Sequence, residues 1–411
     1  MSIRTQNVPE SKHFSTGKIY SSEFLKNLVS IALSLVPHNI WYKAYVKRYL
    51  LTKYASTHNL FSDRLSIPVP FYIIIDDVGL PRIQGVDVAL DVYRSIVDLA
   101  KHHRVKLGFG LVAKYIDFSH VTPYSEPVPY AQELVKLIKN NLDYLEPVHH
   151  GLFHDKEPFY GEYLCIDPHT RQVQEISPHE QELYFKYSWK IYRETGIPEP
   201  EIFVPPKHLW KPGVTEKKAK KYGIKYLVTR PKAVIPYPIG PRNRDIWVVS
   251  RGAPIPDLVN IPRTLLVRVF KIRLWKELLA VHHSIMMHVS NFLLRNLCQR
   301  WYALYEKAMK SQYVFLAKNN EEAFRNWLVH RLCLDCKLKA GFKNGMLELE
   351  TIDQSFLRKY VGEYLRFFVK THMSVEVQGG EEILCRKELE YNVVDIKFPL
   401  RRKKIVLSVR P

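Results

Sequence analysis

The stretch FYIIIDDVGL, residues 71–80, decides the fold. Its five apolar residues are too few for a buried helix. Rich in β-branched isoleucine and closed by a glycine, they read as a buried strand ending at a turn. Asp76 and Asp77 follow directly. Two adjacent carboxylates repel one another, and the end of a buried strand solvates them poorly. Either they satisfy backbone N–H groups in a turn, or something cationic stands beside them.

The same rhythm continues outward. Strand-like runs recur at 105–112, 145–150, 201–206, 224–230, 246–252, 284–289 and 311–317, with helical patterns at 84–102, 129–141, 178–194, 214–222, 291–310 and 320–333 between most of them. Strands alternating with helices of this length imply βαβ units and a mainly parallel sheet. Seven or eight repeats predict an α/β fold, a distorted (β/α) barrel of about seven strands. No glycine-rich phosphate loop follows any strand, which argues against a nucleotide cofactor.

Beyond 335 the pattern becomes alternating, with turn signals at Lys343-Asn344-Gly345 and Gly379-Gly380. Three successive strand pairs (336–352, 373–389, 393–409) predict a C-terminal antiparallel β-domain built as a sandwich. The organisation is an N-terminal helical segment (1–66), the barrel (67–334) and the β-domain (335–411).

Hydrophobic residues make up 46% of the 411, and aromatics 12%, so the chain is globular rather than disordered. Against 41 Asp and Glu stand 61 Lys and Arg, a formal charge of +20 that attracts polyanions. The basic residues are dispersed, with short clusters at Lys217, Lys218, Lys220, Lys221 and at Arg401–Lys404. Without an arginine-rich arm or an aromatic-interleaved stripe, nucleic acid is not the expected primary partner. Five cysteines, with a single CxxC at Cys333 and Cys336, make no disulfide framework and fit a reducing compartment. The apolar stretch 24–37 falls short of the ~20 residues that span a bilayer and precedes no small-residue cleavage site. The expectation is a cytoplasmic protein whose first helix packs on the barrel or lies on an anionic membrane surface.

In a βα barrel, the carboxyl ends of the strands hold the chemistry. Those ends offer Asp76 and Asp77, then His149, His150, His154 and Asp155, then the FVPPKHLW stretch (203–210), then His288. If the chain is helical from Gly151, His150 and His154 project from one face, at a spacing that suits two ligands of one metal ion. A carboxylate from another strand completes a two-His-one-carboxylate set. Each feature alone has an ordinary reading, as solvated helix histidines or a turn. Their joint place at one rim points to a site.

These residues resemble the polysaccharide deacetylase (NodB-like) family of carbohydrate esterases. The likeness runs over about residues 70–330 and rests on Ile74-Ile75-Asp76-Asp77, His150-Gly151-Leu152-Phe153-His154, Phe203-Val204-Pro205-Pro206 and Ile285-Met286-Met287-His288. The resemblance implies a metal-dependent hydrolase that removes an N-acetyl group from a sugar or polysaccharide precursor. Asp77, His150 and His154 would hold a divalent metal, zinc by ligand type; Asp76 would be the general base and His288 the general acid. Pro206, His208 and Trp210 would wall the groove, with Trp210 stacking on a sugar ring. The expected partner is a carbohydrate, lipid- or nucleotide-linked, met at the inner membrane face. Two features depart from the family pattern. Phe203 stands where the third motif usually begins with an arginine, and Asp245 is the candidate for the aspartate that partners the catalytic histidine. These departures define a second reading, an inactive glycan-binding or assembly module.

Overall fold

The computed structural model describes residues 60, 62, 64–83, 85–229, 241–242, 246–252, 283–292, 314–388 and 391–410. The apolar stretch 24–37, residues 293–310 of the helix expected over 291–310, and Asp245 lie outside the described residues.

Seven parallel strands close into a ring: β1 (Ile73–Val78), β2 (Leu107–Leu111), β3 (Leu145–His149), β4 (Ile202–Phe203), β5 (Tyr226–Thr229), β6 (Ile246–Gly252) and β7 (Ser284–His288). Each pairs with the next, and β7 returns to β1 in a register that sets His288 opposite Asp76. The expected distorted barrel is the observed one. Its strands are apolar on both faces because one face fills the barrel and the other is covered by helices. The run at 311–317 stays out of the ring: Val314–Leu316 pairs with Val69–Phe71 in a separate two-stranded ladder.

The outer helices follow from their apolar spacing and caps. Helix α1 (Leu90–His103) buries Tyr93, Ile96, Val97 and Ala100, residues that share one face at 3.6 per turn, and stops at Arg104 in a left-handed conformation. Helix α2 spans Ala131–Lys139. Helix α3 (Pro178–Thr195) starts where the Ser177 hydroxyl accepts from Glu180 N–H, with Pro178 in the first turn, and ends at Gly196, φ +70°. Its buried Phe185, Trp189 and Tyr192 pack against the ends of β3 and β4. Helix α4 spans Thr215–Lys221.

Helix α5 (Asn320–Leu334) ties the barrel to the C-terminal sheets. Its buried Asn326 donates to the carbonyls of Pro68 and Phe368 and accepts from Phe368 N–H. Beyond it, β8 (Leu338–Lys343), β9 (Met346–Thr351), β10 (Tyr364–Thr371), β11 (Ser374–Gln378), β12 (Glu381–Glu388), β13 (Tyr391–Pro399) and β14 (Lys404–Arg410) form two antiparallel sheets around a shared apolar core. One has the order β8-β9-β14-β11; the other is β10-β13-β12, extended by Leu65–Ser66 on β10.

Of the three expected hairpins only the first forms. Asn344 (φ +52°) and Gly345 (φ +76°) make a tight two-residue turn between β8 and β9. At Gly379-Gly380 the chain leaves one sheet for the other, β11 pairing with β14 and β12 with β13. The β13–β14 connection crosses back the same way. Period-two alternation tells which face of a strand is buried, not which neighbour it pairs with.

Candidate metal centre at the barrel mouth

The two adjacent aspartates turn to different partners because the strand pairing is irregular at that point; Asp77 lines the cavity at the mouth and Asp76 lies buried behind it. In a regular strand, successive side chains point to opposite faces. The β1–β2 ladder is irregular between Ile75 and Val78, and Asp77 takes a left-handed conformation, φ +68°. A bulge re-aims side chains in this way. Both carboxylates are buried, yet they face different partners.

Asp76 meets Arg251, which projects from β6. The guanidinium spans both carboxylate oxygens, Nη1 to Oδ1 at 3.0 Å and Nη2 to Oδ2. Neither side chain exceeds 1% exposure. Burial, the largest influence, would raise the Asp76 pKa, but the Arg251 charge and hydrogen bonds together with the His150 and His288 charges outweigh it and hold the carboxylate below its ordinary value. Arg251 Nη2 also lies 3.1 Å from His208 Nε2.

Asp77 meets three histidines. Oδ1 lies 3.3 Å from His150 Nε2 and 3.1 Å from His154 Nε2, and Oδ2 lies 2.8 Å from His288 Nδ1. Burial again opposes ionisation, and the three surrounding histidines, where they carry a proton toward the carboxylate, outweigh it and hold Asp77 well below the usual carboxylate range. Ligand atoms of Asp77, His150 and His154 all lie within 4.8 Å of one another.

The remaining ring nitrogens decide what this cluster wants. His150 Nδ1 lies 2.8 Å from the Val204 carbonyl and so donates to it. His154 Nδ1 lies 2.9 Å from Asp155 Oδ2, also an acceptor. With Nδ1 donating, each neutral imidazole turns an Nε2 lone pair toward Asp77 Oδ1, an acceptor that makes no well-formed hydrogen bond. Three lone pairs converging in a buried site require protons or a cation. Without a cation, protons supply the charge. Burial disfavours the imidazolium of His154, but Asp155 and Asp77 prevail and push its pKa up to about 9. The donor set, its carboxylate-backed imidazole and its burial all fit a divalent metal.

The segment holding these histidines is not the helix expected from Gly151. Gly151 (φ +89°) and His154 (φ +73°) are both left-handed, and residues 152–155 form bends. The curl is held by Glu162, a residue the motifs do not announce. Its buried carboxylate accepts the backbone N–H groups of Leu152, Phe153 and His154 at 2.9, 3.0 and 3.2 Å. Burial raises the Glu162 pKa to about 7 against the pull of those three donors. A side chain at 151 would drive into that carboxylate and come within 2.7 Å of Pro206 Cγ, so the position needs glycine for space as well as for φ.

Other expectations need correction. Trp210 is 1% exposed and belongs to the barrel core, so it offers no face to a sugar. Pro206 is buried beneath Gly151, and His208 turns to Arg251. The groove, a cavity of about 650 Å³, is walled instead by Lys114, Tyr115, Tyr124, Phe153, Tyr184 and Lys207 beside Asp77, His154 and His288. His149 lies between the hydroxyls of Tyr163 and Tyr192, neutral and buried, and takes no part in the cluster.

No protein-family model and no curated protein matches the chain. Among solved structures, it is similar to a Mycobacterium smegmatis protein assigned to the polysaccharide deacetylases, at 13% identity over 57% of this chain and 76% of that one, TM-score 0.38. It is also similar to a family 4 carbohydrate esterase from Streptomyces lividans solved with acetate, at 12% identity over 58% and 88%, TM-score 0.29. A third is a family 4 acetyl xylan esterase from Clostridium thermocellum solved with a cobalt ion, at 11% identity over 62% and 90%, TM-score 0.34. The chain resembles the polysaccharide deacetylases. At these identities and TM-scores the likeness carries no argument of its own; the chemistry is read from the side chains at the mouth. There, Phe203 gives no arginine, and a guanidinium reaches the first aspartate from β6 instead.

Proposed function

We propose that the protein is a metal-dependent deacetylase that hydrolyses an N-acetyl group on a sugar or polysaccharide precursor. The supporting observation is the division of labour between adjacent carboxylates: Asp77 faces three histidines while Asp76 is held apart on Arg251.

Asp77, His150 and His154 are the residues that would hold the metal. Two imidazoles and a carboxylate suit zinc, and the same set accepts iron, cobalt or manganese. When bound, such a cation polarises an acyl carbonyl and acidifies water. Asp76 is kept ionised by Arg251, so it stands ready to accept a proton from the attacking water. A carboxylate with a depressed pKa is a weak base, which suits a proton that has been made acidic. His288, held through Nδ1 by Asp77 Oδ2, delivers a proton to the departing sugar nitrogen. The products are acetate and a free amino sugar.

The alternative is an inactive glycan-binding or assembly module. Its grounds are the arginine missing at Phe203 and the unassigned partner aspartate; the Arg251–Asp76 pair favours the enzyme over it.

The test is metal content together with acetate release from a panel of N-acetylated sugars. Wild type should hold one metal per chain and release acetate. His150→Ala should lose both, and Asp76→Asn should keep the metal and lose turnover. A wild-type chain that takes up no stoichiometric metal, or turns over no N-acetylated sugar while loaded, would sink the reading.

A further inference from the structure

The four loops that follow β1, β2, β3 and β4 each bring one cation to the cavity: Arg82, Lys114, Lys156 and Lys207. The carboxylates lining it are Asp77, Asp155, Glu157 and Glu180. Asp77 and Asp155 are committed to the histidine cluster. That leaves Glu157 and Glu180 against four cations. The partners of Arg82 and Lys114, Asp87 and Glu126, are exposed and stand outside the cavity lining. Lys156 pairs with Glu180 at 2.5 Å.

Lys207 is the most loosely held. Its Nζ is 3.5 Å from Asp155 Oδ2, an oxygen that His154 Nδ1 already occupies at 2.9 Å, and its side chain is 45% exposed. Lys207 (φ +52°) and His208 (φ +59°) are consecutive left-handed residues with side chains, a backbone form that costs energy and gathers at ligand sites. That strained turn sets an ammonium one ion pair away from Asp155, the carboxylate that His154 contacts.

We propose that this mouth selects N-acyl sugars that carry an oxyanion, a phosphate or a carboxylate, and that Lys207 meets that group. The proposal rests on the deacetylase reading and adds the substrate class. Cations converging on a partly enclosed cavity raise the local concentration of anions, and lysine binds phosphate as a point charge. The formal charge of +20 acts in the same direction.

The test compares kcat/KM of the metal-loaded full chain on N-acetylglucosamine, its 1-phosphate, a nucleoside-diphosphate-linked N-acetylglucosamine and an N-acetylated oligosaccharide containing a uronic acid. The expected result is a preference of about tenfold or more for a charged substrate over the neutral one, weakened by salt. Lys207→Gln should lower that preference about tenfold and Lys207→Glu should invert it. The phosphate and uronate arms tell the two oxyanion sources apart. Equal turnover of neutral and charged sugars overturns the inference and leaves the deacetylase standing. Acetate release from none of the substrates overturns the deacetylase reading. Calorimetric titration of the 1-phosphate then reports on the mouth separately, and binding that ignores salt and Lys207→Gln overturns the inference too.

Discussion

The Arg251 guanidinium lies on both oxygens of Asp76, and the two side chains come from strands separated by 175 positions in the chain. Burial works against an ionised Asp76, and the His150 and His288 charges favour it. Arg251 adds the largest share of the opposing pull without touching Asp77. The barrel can therefore keep two adjacent carboxylates charged at one strand end, each with its own cationic partner.

Arg251→Gln should raise the Asp76 pKa, because burial then acts without its main opponent. The acid limb of kcat/KM against pH, where Asp76 gains a proton, moves to higher pH. Activity at neutral pH falls, and Arg251→Lys restores part of it. The buried charge left unpaired costs about 3–5 kcal/mol of stability, read by urea unfolding. An acid limb that stays in place in Arg251→Gln would show that Asp76 is not the titrating base.

Glu162→Gln should weaken metal binding about 10–100-fold while the chain still folds. Three backbone donors converge on the carboxylate, and an amide nitrogen turned toward any of them would oppose a donor with a donor. The readout is zinc affinity by competition with a chelator, with the d–d spectrum of a cobalt-loaded sample reporting ligand geometry. Gly151→Ala should produce a similar loss through the opposite partner of the same contact.

Three buried imidazoles make the fold sensitive to acid, two of them, His283 and His330, away from the metal-ligand set. His283 and His330 have pKa values pushed by burial down to about 4, and burial holds His149 well below the ordinary value as well. A depressed folded-state pKa gives stability that is full above the unfolded value near 6.5 and lost as pH falls toward 4. Each of His283 and His330 contributes about 3 kcal/mol over that window by this linkage. Unfolding in urea at pH 7, 6 and 5 should therefore give steadily lower midpoints. His330→Asn should flatten that slope even where it lowers stability at pH 7.

The barrel was readable because its strands are apolar runs closed by polar residues, and that pattern survives without knowledge of pairing. Asp76, Asp77, His150, His154 and His288 were readable as residues because each ends a strand or follows one closely. Arg251 obeys the same rule at the end of β6, in Ser250-Arg251-Gly252, yet a search for arginine near Phe203 passes over it. Glu162 had no such mark: a lone glutamate in a loop gains its role only when the chain curls around it. Trp210 misled because aromatic residues near a groove and aromatic residues in a core look alike in one dimension. The strand pairing of the β-domain was hidden because alternation is silent on partners.

His288 provides the sharpest separation between a hydrolase and a bare metal site. Its Nδ1 is fixed by Asp77 Oδ2 at 2.8 Å, and the ring lines the cavity. An amine leaving group must be protonated as it departs, whereas p-nitrophenolate leaves without help. General acid catalysis accounts for about 10²–10⁴-fold in rate. His288→Asn should therefore cut kcat on an N-acetyl sugar by about that factor and leave p-nitrophenyl acetate hydrolysis within about threefold of wild type. At saturating zinc, metal content should not change, since His288 stands outside the Asp77, His150 and His154 group. Equal losses on amide and activated ester would assign His288 to orienting Asp77 rather than to proton delivery.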